Sequence, residues 1–248
     1  MNFKNLNLIN PIIRAATEAG YSKPTEIQSG AIPQILIGRD ILGYAPKGTG
    51  KTAAFAMPVI QLLKKSSPEH KEVRTLILTP TQELGIQIEE NFRVYSKYLP
   101  LSQLTIHDGT SQGNQLAALR IRVDVLITTP AALLDLINQR HINLSKIEIL
   151  VLDEADRMLD MGFINDVKKV LKLIPQKRQT LLFSSTISEN IRKFADMLLN
   201  NPIEIKASPI SSTAKIVDQS VFLVEKKEKT DRLYNACSPK KYFNTITK

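Results

Sequence analysis

Two short stretches combine residue types and spacings suited to a phosphorylated, metal-bound ligand. The first, Ala45-Pro46-Lys47-Gly48-Thr49-Gly50-Lys51-Thr52, fits the phosphate-binding loop pattern, with alanine at its first glycine position. Gly48 and Gly50 would let backbone amides curl round phosphate oxygens, Lys51 would reach the outer phosphates, and the Thr52 hydroxyl would ligate Mg²⁺. A glycine-rich turn that merely contains Lys-Thr is the plain alternative. The second stretch is Asp153-Glu154-Ala155-Asp156. Placed directly after an apolar strand, its carboxylates would stand at the edge of a sheet, where open parallel sheets bind ligands. Asp153 is then suited to hold Mg²⁺ through water, and Glu154 to orient and polarise an attacking water, because phosphoryl transfer mostly needs positioning and charge stabilisation. Acidic residues also favour the first turn of any helix, so an ordinary helix start is the alternative here.

These groups need a scaffold that brings distant parts of the chain to one edge. From about residue 40 onward, short β-branched apolar runs alternate with longer segments of helical period, the pattern of an α/β chain with a mostly parallel sheet and helices on both faces. Strands are expected at 40–44, 74–79, 104–107, 124–127, 148–152, 178–183 and 203–205. Helices are expected at 10–20, 25–36, 51–64, 81–98, 112–120, 130–139, 162–173 and 188–199. Ile147-Glu148-Ile149-Leu150-Val151-Leu152 is apolar at nearly every position, as a central strand covered on both faces should be. The phosphate loop falls between a strand and a helix in this reading, and the acidic box follows the central strand.

With 43% hydrophobic residues the chain has the composition of a globular protein with a core. Its net charge of 33 − 24 = +9 permits a polyanionic partner; residues 207–248 carry +4 of it, leaving +5 for the longer first part. The single cysteine, Cys237, can make no intrachain disulfide, and the first residues lack the apolar core of a signal peptide, so a cytoplasmic location is expected. No apolar run approaches the ~20 residues of a membrane-spanning helix, and no membrane partner is expected. Ala207-Ser208-Pro209-Ile210-Ser211-Ser212-Thr213 is small, polar and interrupted by proline, which suggests a domain at 1–206, a linker at 207–215 and a further piece at 216–248. That last piece holds one strand and one helix at most, too little to bury a core alone.

The two chemical stretches and the upstream segment Gly20-Tyr21-Ser22-Lys23-Pro24-Thr25-Glu26-Ile27-Gln28 stand in an order and spacing that resembles the DEAD-box ATP-dependent RNA helicases. The resemblance covers about residues 2–232, and the wording around Phe3 and Gly162-Phe163 is similar to the bacterial RhlE-like branch. It implies a RecA-like P-loop fold, the first of two such domains, with ATP and Mg²⁺ as cofactors and single-stranded RNA as partner. Residues 1–38 would form the adenine-reading segment: Gln28 would hydrogen-bond the base, Phe3, 17 residues before Gly20, would stack on it, and Tyr21 and Thr25 would lie beside it. Thr25-x-x-Gln28 is also a helix capping box, and both roles can belong to one residue. The family's roles place ATP against Ala45, Gly48, Thr49, Gly50, Lys51 and Thr52, metal on Thr52 and Asp153, and catalysis on Lys51, Asp153 and Glu154. Ser184-Ser185-Thr186 matches the family's Ser-Ala-Thr, so Asp156, Ser184 and Thr186 would couple the acidic box to interdomain closure; a simple polar turn is the alternative.

RNA backbone contact would fall to Pro80, Thr81, Gly109, Thr129 and Pro130, and it is here that the sequence departs from the family. Gln82 replaces an arginine, Asp108-Gly109 a pair of glycines, and Ala131-Ala132 a Gly-Arg, a local change of three charge units toward negative. RNA binding weaker than the family norm is expected. Thr129 and Pro130 also read as nothing more than a helix start. Lys47 and Arg122 stand where the family usually has uncharged residues. The chain is expected to be a monomer that breaks off inside its second domain, so the arginines that close on the γ-phosphate would come from a second RecA-like domain in cis or in trans. Two other readings stay open: a degenerate pseudo-helicase that binds nucleotide without unwinding, and a small-molecule kinase or GTPase. The latter leaves Gln28, Phe3 and the acidic box without a purpose, and no Asn-Lys-x-Asp guanine signature is present.

Overall fold

Alternation along each strand builds two cores from one sheet. A computed structural model describes residues 2–65, 72–106, 119 and 122–207. They lie in the first of the two units into which the chain divides, Met1–Ile210 and Ser211–Lys248. Apart from Leu119 and Ala207, the helix expected at 112–120 and everything from the expected linker onward lie outside the described residues. The strands are β1 (Ile41–Tyr44), β2 (Thr75–Leu78), β3 (Gln103–Thr105), β4 (Val125–Thr128), β5 (Ile149–Leu152), β6 (Gln179–Ser184) and β7 (Ile203–Lys206). Among the described residues all pair in parallel, in the order β3-β4-β2-β5-β6-β1-β7. Ile77, Val151 and Leu181 face one core while their neighbours Leu76, Leu150 and Leu182 face the other. Every residue of β1, β2, β4 and β5 is buried, as a parallel sheet covered on both faces requires.

The first core is closed by α1 (Asn10–Glu18), α2 (Glu26–Leu36), α3 (Lys51–Lys65) and α4 (Gln82–Tyr95). The second is closed by α5 (Pro130–Asn138), α6 (Ala155–Asp160), α7 (Ile164–Leu171) and α8 (Glu189–Leu198). This is the α/β, RecA-like architecture expected of the sequence. Two short elements were not expected: the 3₁₀ turn Phe3–Leu6 and the six-residue α6, both too brief to show a helical period. No helix among the described residues is long and apolar enough to cross a membrane.

The strand order decides which loops meet. Tyr44 at the end of β1 is level with Ser184 of β6, and Leu152 at the end of β5 is level with Leu182. The loops that follow β1, β5 and β6 therefore emerge side by side at the carboxyl edge of the sheet. Leu78 of β2 is paired with both Leu152 and Thr128, so the segments starting at Pro80 and Thr129 lie next along the same edge.

Candidate active site

The phosphate loop is shaped by two glycines and a buried lysine. Gly48 and Gly50 have φ of 78° and 86°, in the left-handed region that an L side chain rarely adopts. A Cβ on Gly50 would also run into the Gln28 amide. That amide is fully buried: Gln28 Oε1 accepts from the Thr25 amide at 3.0 Å while Nε2 donates to the Gly50 carbonyl at 3.2 Å. Gln28 is thus both the helix cap of α2 and the strut behind the loop. Lys51 Nζ donates to the carbonyls of Ala45 at 2.7 Å and Pro46 at 3.1 Å, and to Ser185 Oγ at 3.3 Å. Thr49 Oγ1 donates to the Pro46 carbonyl at 2.7 Å, drawing the loop closed on itself.

Beside it stands the acidic box. Burial pushes the Asp153 carboxyl up to about 6, although the nearby Lys51 ammonium pulls it down. Burial also lowers the Lys51 pKa against the pull of Asp153, Glu154 and Asp156. Both partners move toward neutrality, which means that desolvation outweighs their attraction. Glu154 caps α6 with φ 51° and ψ 51°, a left-handed conformation that costs a non-glycine residue about 1–3 kcal/mol and is met mostly at functional sites. Its two carboxylate oxygens face cations: Lys47 Nζ at 3.5 Å and Arg157 at 3.6 Å. Asp156 Oδ2 accepts from the Ser185 amide and from Thr186 Oγ1, both at 3.1 Å, and Ser184 Oγ donates to the Thr186 carbonyl at 3.0 Å. The turn after β6 is therefore tied to the acidic box on one side and to Lys51 on the other.

Gly48, Gly50, Lys51, Asp153 and Glu154 line a cleft of about 510 Å³, with Tyr21, Lys47, Thr52 and Arg157 in its wall. Phe3, expected to stack on the base, is 2% exposed and enclosed in the first core. Tyr21 is the aromatic ring at the cleft, braced edge-on by Tyr95 at 5.8 Å. Among the described residues no cluster of three or more His, Cys, Asp or Glu could cage a metal. Thr52 and the poorly solvated Asp153 carboxylate fit Mg²⁺ of the kind that keeps its waters and takes one or two protein groups plus ligand phosphates.

The residues expected to meet RNA are helix starts. Thr81 Oγ1 accepts from the Leu84 amide at 3.4 Å and Thr129 Oγ1 from the Ala132 amide at 3.3 Å, capping α4 and α5. Pro80 and Pro130 are buried, Ala132 is 7% exposed, and Asp108 and Gly109 lie outside the described residues. Sequence reasoning missed three contacts, those of Lys47 and Arg157 with Glu154 and that of Ser185 with Lys51. Only the unusual lysine at 47 and the extra hydroxyl at 185 signalled them.

Known proteins are similar to this chain in sequence and fold. The family described as DEAD/DEAH box helicase matches residues 25–194. The DEAD-box ATP-dependent RNA helicase RhpA of Helicobacter pylori is 36% identical over 243 residues, 97% of this chain and 49% of that protein. The ATP-dependent RNA helicase DeaD of Haemophilus influenzae is 38% identical over 234 residues, 94% of this chain and 38% of that protein. The chain thus spans less than half the length of these relatives. The crystal structure of a DEAD box protein from the hyperthermophile Methanococcus jannaschii superposes with a TM-score of 0.78 and 34% identity over 96% of this chain and 63% of that one. None of these comparisons singles out the RhlE-like branch. The family match covers most of the chain and contains both the phosphate loop and the acidic box whose convergence the sheet order explains, so this chain belongs to the DEAD/DEAH box helicase family.

Proposed function

We propose that this chain is the ATP-binding domain of an ATP-dependent RNA helicase, which grips single-stranded RNA backbone and unwinds duplexes when a second RecA-like domain closes on it. The observation that carries the reading is the convergence of Lys51, Thr52, Asp153 and Glu154 in one cleft, with the Asp156–Thr186 link beside it. Lys51 would exchange the Ala45 and Pro46 carbonyls for the outer phosphates, and Glu154 would hold the attacking water. Mg²⁺ held by Thr52 and Asp153 would neutralise charge on the phosphate oxygens. Asp156, Ser184 and Thr186 would pass the state of that cleft to the second domain. We assign the domain to residues 1–206, with the linker and the start of the second domain following it.

For the base, this reading gives Tyr21 the facing ring and Phe3 a place in the first core. Gln28, fully buried in the ligand-free domain, keeps one amide N–H and one lone-pair direction beyond its two observed bonds, and reading adenine with them requires the residues over it to open. Tyr21→Ala is expected to weaken Mg·ATP binding about tenfold with little change in fold, since a stacking contact is worth about 1–1.5 kcal/mol. Phe3→Ala is expected to cost about 3–5 kcal/mol of stability instead, as loss of a core phenylalanine does. Nucleotide titrations and urea melts on both variants separate the roles. A domain that bound GTP as well as ATP would end the adenine assignment, and a stable Phe3→Ala domain with poor ATP affinity would return the stacking role to Phe3.

RNA contact is proposed to be weak because Gln82 and Ala132 take the place of arginines and the Thr81 and Thr129 hydroxyls already serve as caps. Combining Gln82→Arg, Ala131→Gly and Ala132→Arg is expected to tighten single-stranded RNA binding and steepen its salt dependence by roughly two units of slope, with ATP affinity unchanged. The buried Cβ at 132 does not forbid this, because a long arginine stem can run along the surface to place its head in water. Fluorescence anisotropy at several salt concentrations reads both quantities. An unchanged slope would confine the helicase analogy to the nucleotide cleft and favour a nucleotide-binding module.

A further inference from the structure

We propose that Lys47 is a terminal-phosphate contact, so that the ammonium now paired with Glu154 turns to the γ-phosphate when a nucleoside triphosphate enters the cleft. This rests on the reading of the cleft as the ATP site, and it adds a residue to which the sequence pattern gives no role. Lys47 sits within the phosphate loop between Pro46 and the left-handed Gly48, and its side chain lines the cleft while 71% exposed. Its Nζ lies 3.5 Å from Glu154 Oε1. Glu154 is the group assigned to the water that attacks the terminal phosphate, so a cation in contact with it is within reach of that phosphate. Lys51 is different in kind: it is 8% exposed and held by two loop carbonyls and Ser185 Oγ.

The Lys47–Glu154 pair is built to be exchanged. No hydrogen bond accompanies it, and although the Glu154 side chain is only 11% exposed, the lysine head is 71% exposed and free to turn to another anion. A phosphate group carrying more than one negative charge outcompetes a single carboxylate for the same ammonium. Glu154 does not lose its only counter-charge in the exchange, because Arg157 faces its other oxygen at 3.6 Å. The flexible lysine stem makes the move without backbone change, whereas Glu154 is fixed by its left-handed place at the head of α6. The result is selectivity for triphosphate over diphosphate supplied by this domain itself.

The test compares binding of a non-hydrolysable ATP analogue and of ADP, each with Mg²⁺, to the 248-residue chain and its variants. Lys47→Met is expected to lose about tenfold in affinity for the triphosphate, the worth of one charge-assisted bond, and nothing for ADP. Lys47→Arg is expected to retain most of the difference. The same selective loss must persist in the Glu154→Gln background, where no carboxylate is left at 154 to repel the phosphate. Equal losses for both nucleotides, or a loss that vanishes in that background, would overturn the proposal and leave Lys47 as a partner of Glu154 alone. Lys51→Ala serves as the control on the site itself. A chain that binds neither nucleotide, or in which Lys51→Ala binds both as before, overturns the site reading and this inference with it, a pattern unlike the selective failure.

Discussion

Replacing Lys51 with alanine is expected to abolish nucleotide binding, with a loss of at least a hundredfold in affinity for Mg·ATP. The ammonium has three donors, and in the free domain all three have acceptors: two loop carbonyls and Ser185 Oγ. Phosphate oxygens are better acceptors than carbonyls, because a charge-assisted bond is roughly twice as strong as a neutral one. Removing the group forfeits more than one such bond, at about 1.5–3 kcal/mol each, which sets the hundredfold floor. A second effect accompanies it. Lys51 is the strongest influence holding the Asp153 carboxyl down, so its loss lets burial push that carboxyl still higher and weakens the metal site as well. Calorimetric titration with Mg·ATP, on a variant whose melting curve shows it folded, measures the loss. Binding within a few fold of the unaltered chain would mean that the phosphates do not lie where the loop places them.

The second large effect is on stability and carries a pH signature. Asp153→Asn is expected to stabilise the ligand-free domain at pH 7 by up to about 3 kcal/mol and to have almost no effect near pH 4. Burial raises the carboxyl from 3.8 to about 6 in the folded state, roughly two units at about 1.4 kcal/mol each. A group with a raised folded pKa contributes stability below its unfolded value and loses that contribution as pH climbs through the folded one. The native protein therefore gives up stability between about pH 4 and 6, while the asparagine variant, still able to accept the Glu154 amide bond seen at 3.0 Å, does not. Loss of Asp153 also removes the largest of the carboxylate attractions on the Lys51 ammonium, leaving those of Glu154 and Asp156, which makes the figure an upper limit. Urea unfolding of both proteins from pH 4 to 8 reads the difference; a gap that stayed constant with pH would mean that burial does not control this carboxyl. The expected gain in the variant marks Asp153 as a residue kept for its chemistry at the expense of the fold.

Much of this was legible in the chain before any fold was known. The run Ile147–Leu152 announces a strand covered on both faces, and a loop of glycines closing on Lys-Thr before a helical segment admits few readings. The capping box at Thr25 and Gln28 placed the start of α2 correctly and marked a residue that also braces Gly50. What was hidden depends on neighbours that only strand order creates. Ser185 touches Lys51 because β6 lies beside β1, and no spacing along the chain says so. The burial of Phe3 was not legible either, because it stands in a short 3₁₀ turn and one turn is too small to leave a period in the sequence. Glu154 heads a helix of six residues in a left-handed conformation, which a sequence motif of acids does not reveal.

The place of β1 in the sheet also has a bearing on synthesis. Its partners are β6 and β7, made of residues 179–184 and 203–206, while the strands made in the interval, β2 to β5, pair elsewhere. A growing chain that has just emerged from the ribosome with its phosphate loop and α3 has no strand to pair with β1, and only helices such as α2, made before it, can cover it. The long-range closure that frames the loop comes with the last fifth of the domain, so nucleotide can assist folding only at that final step.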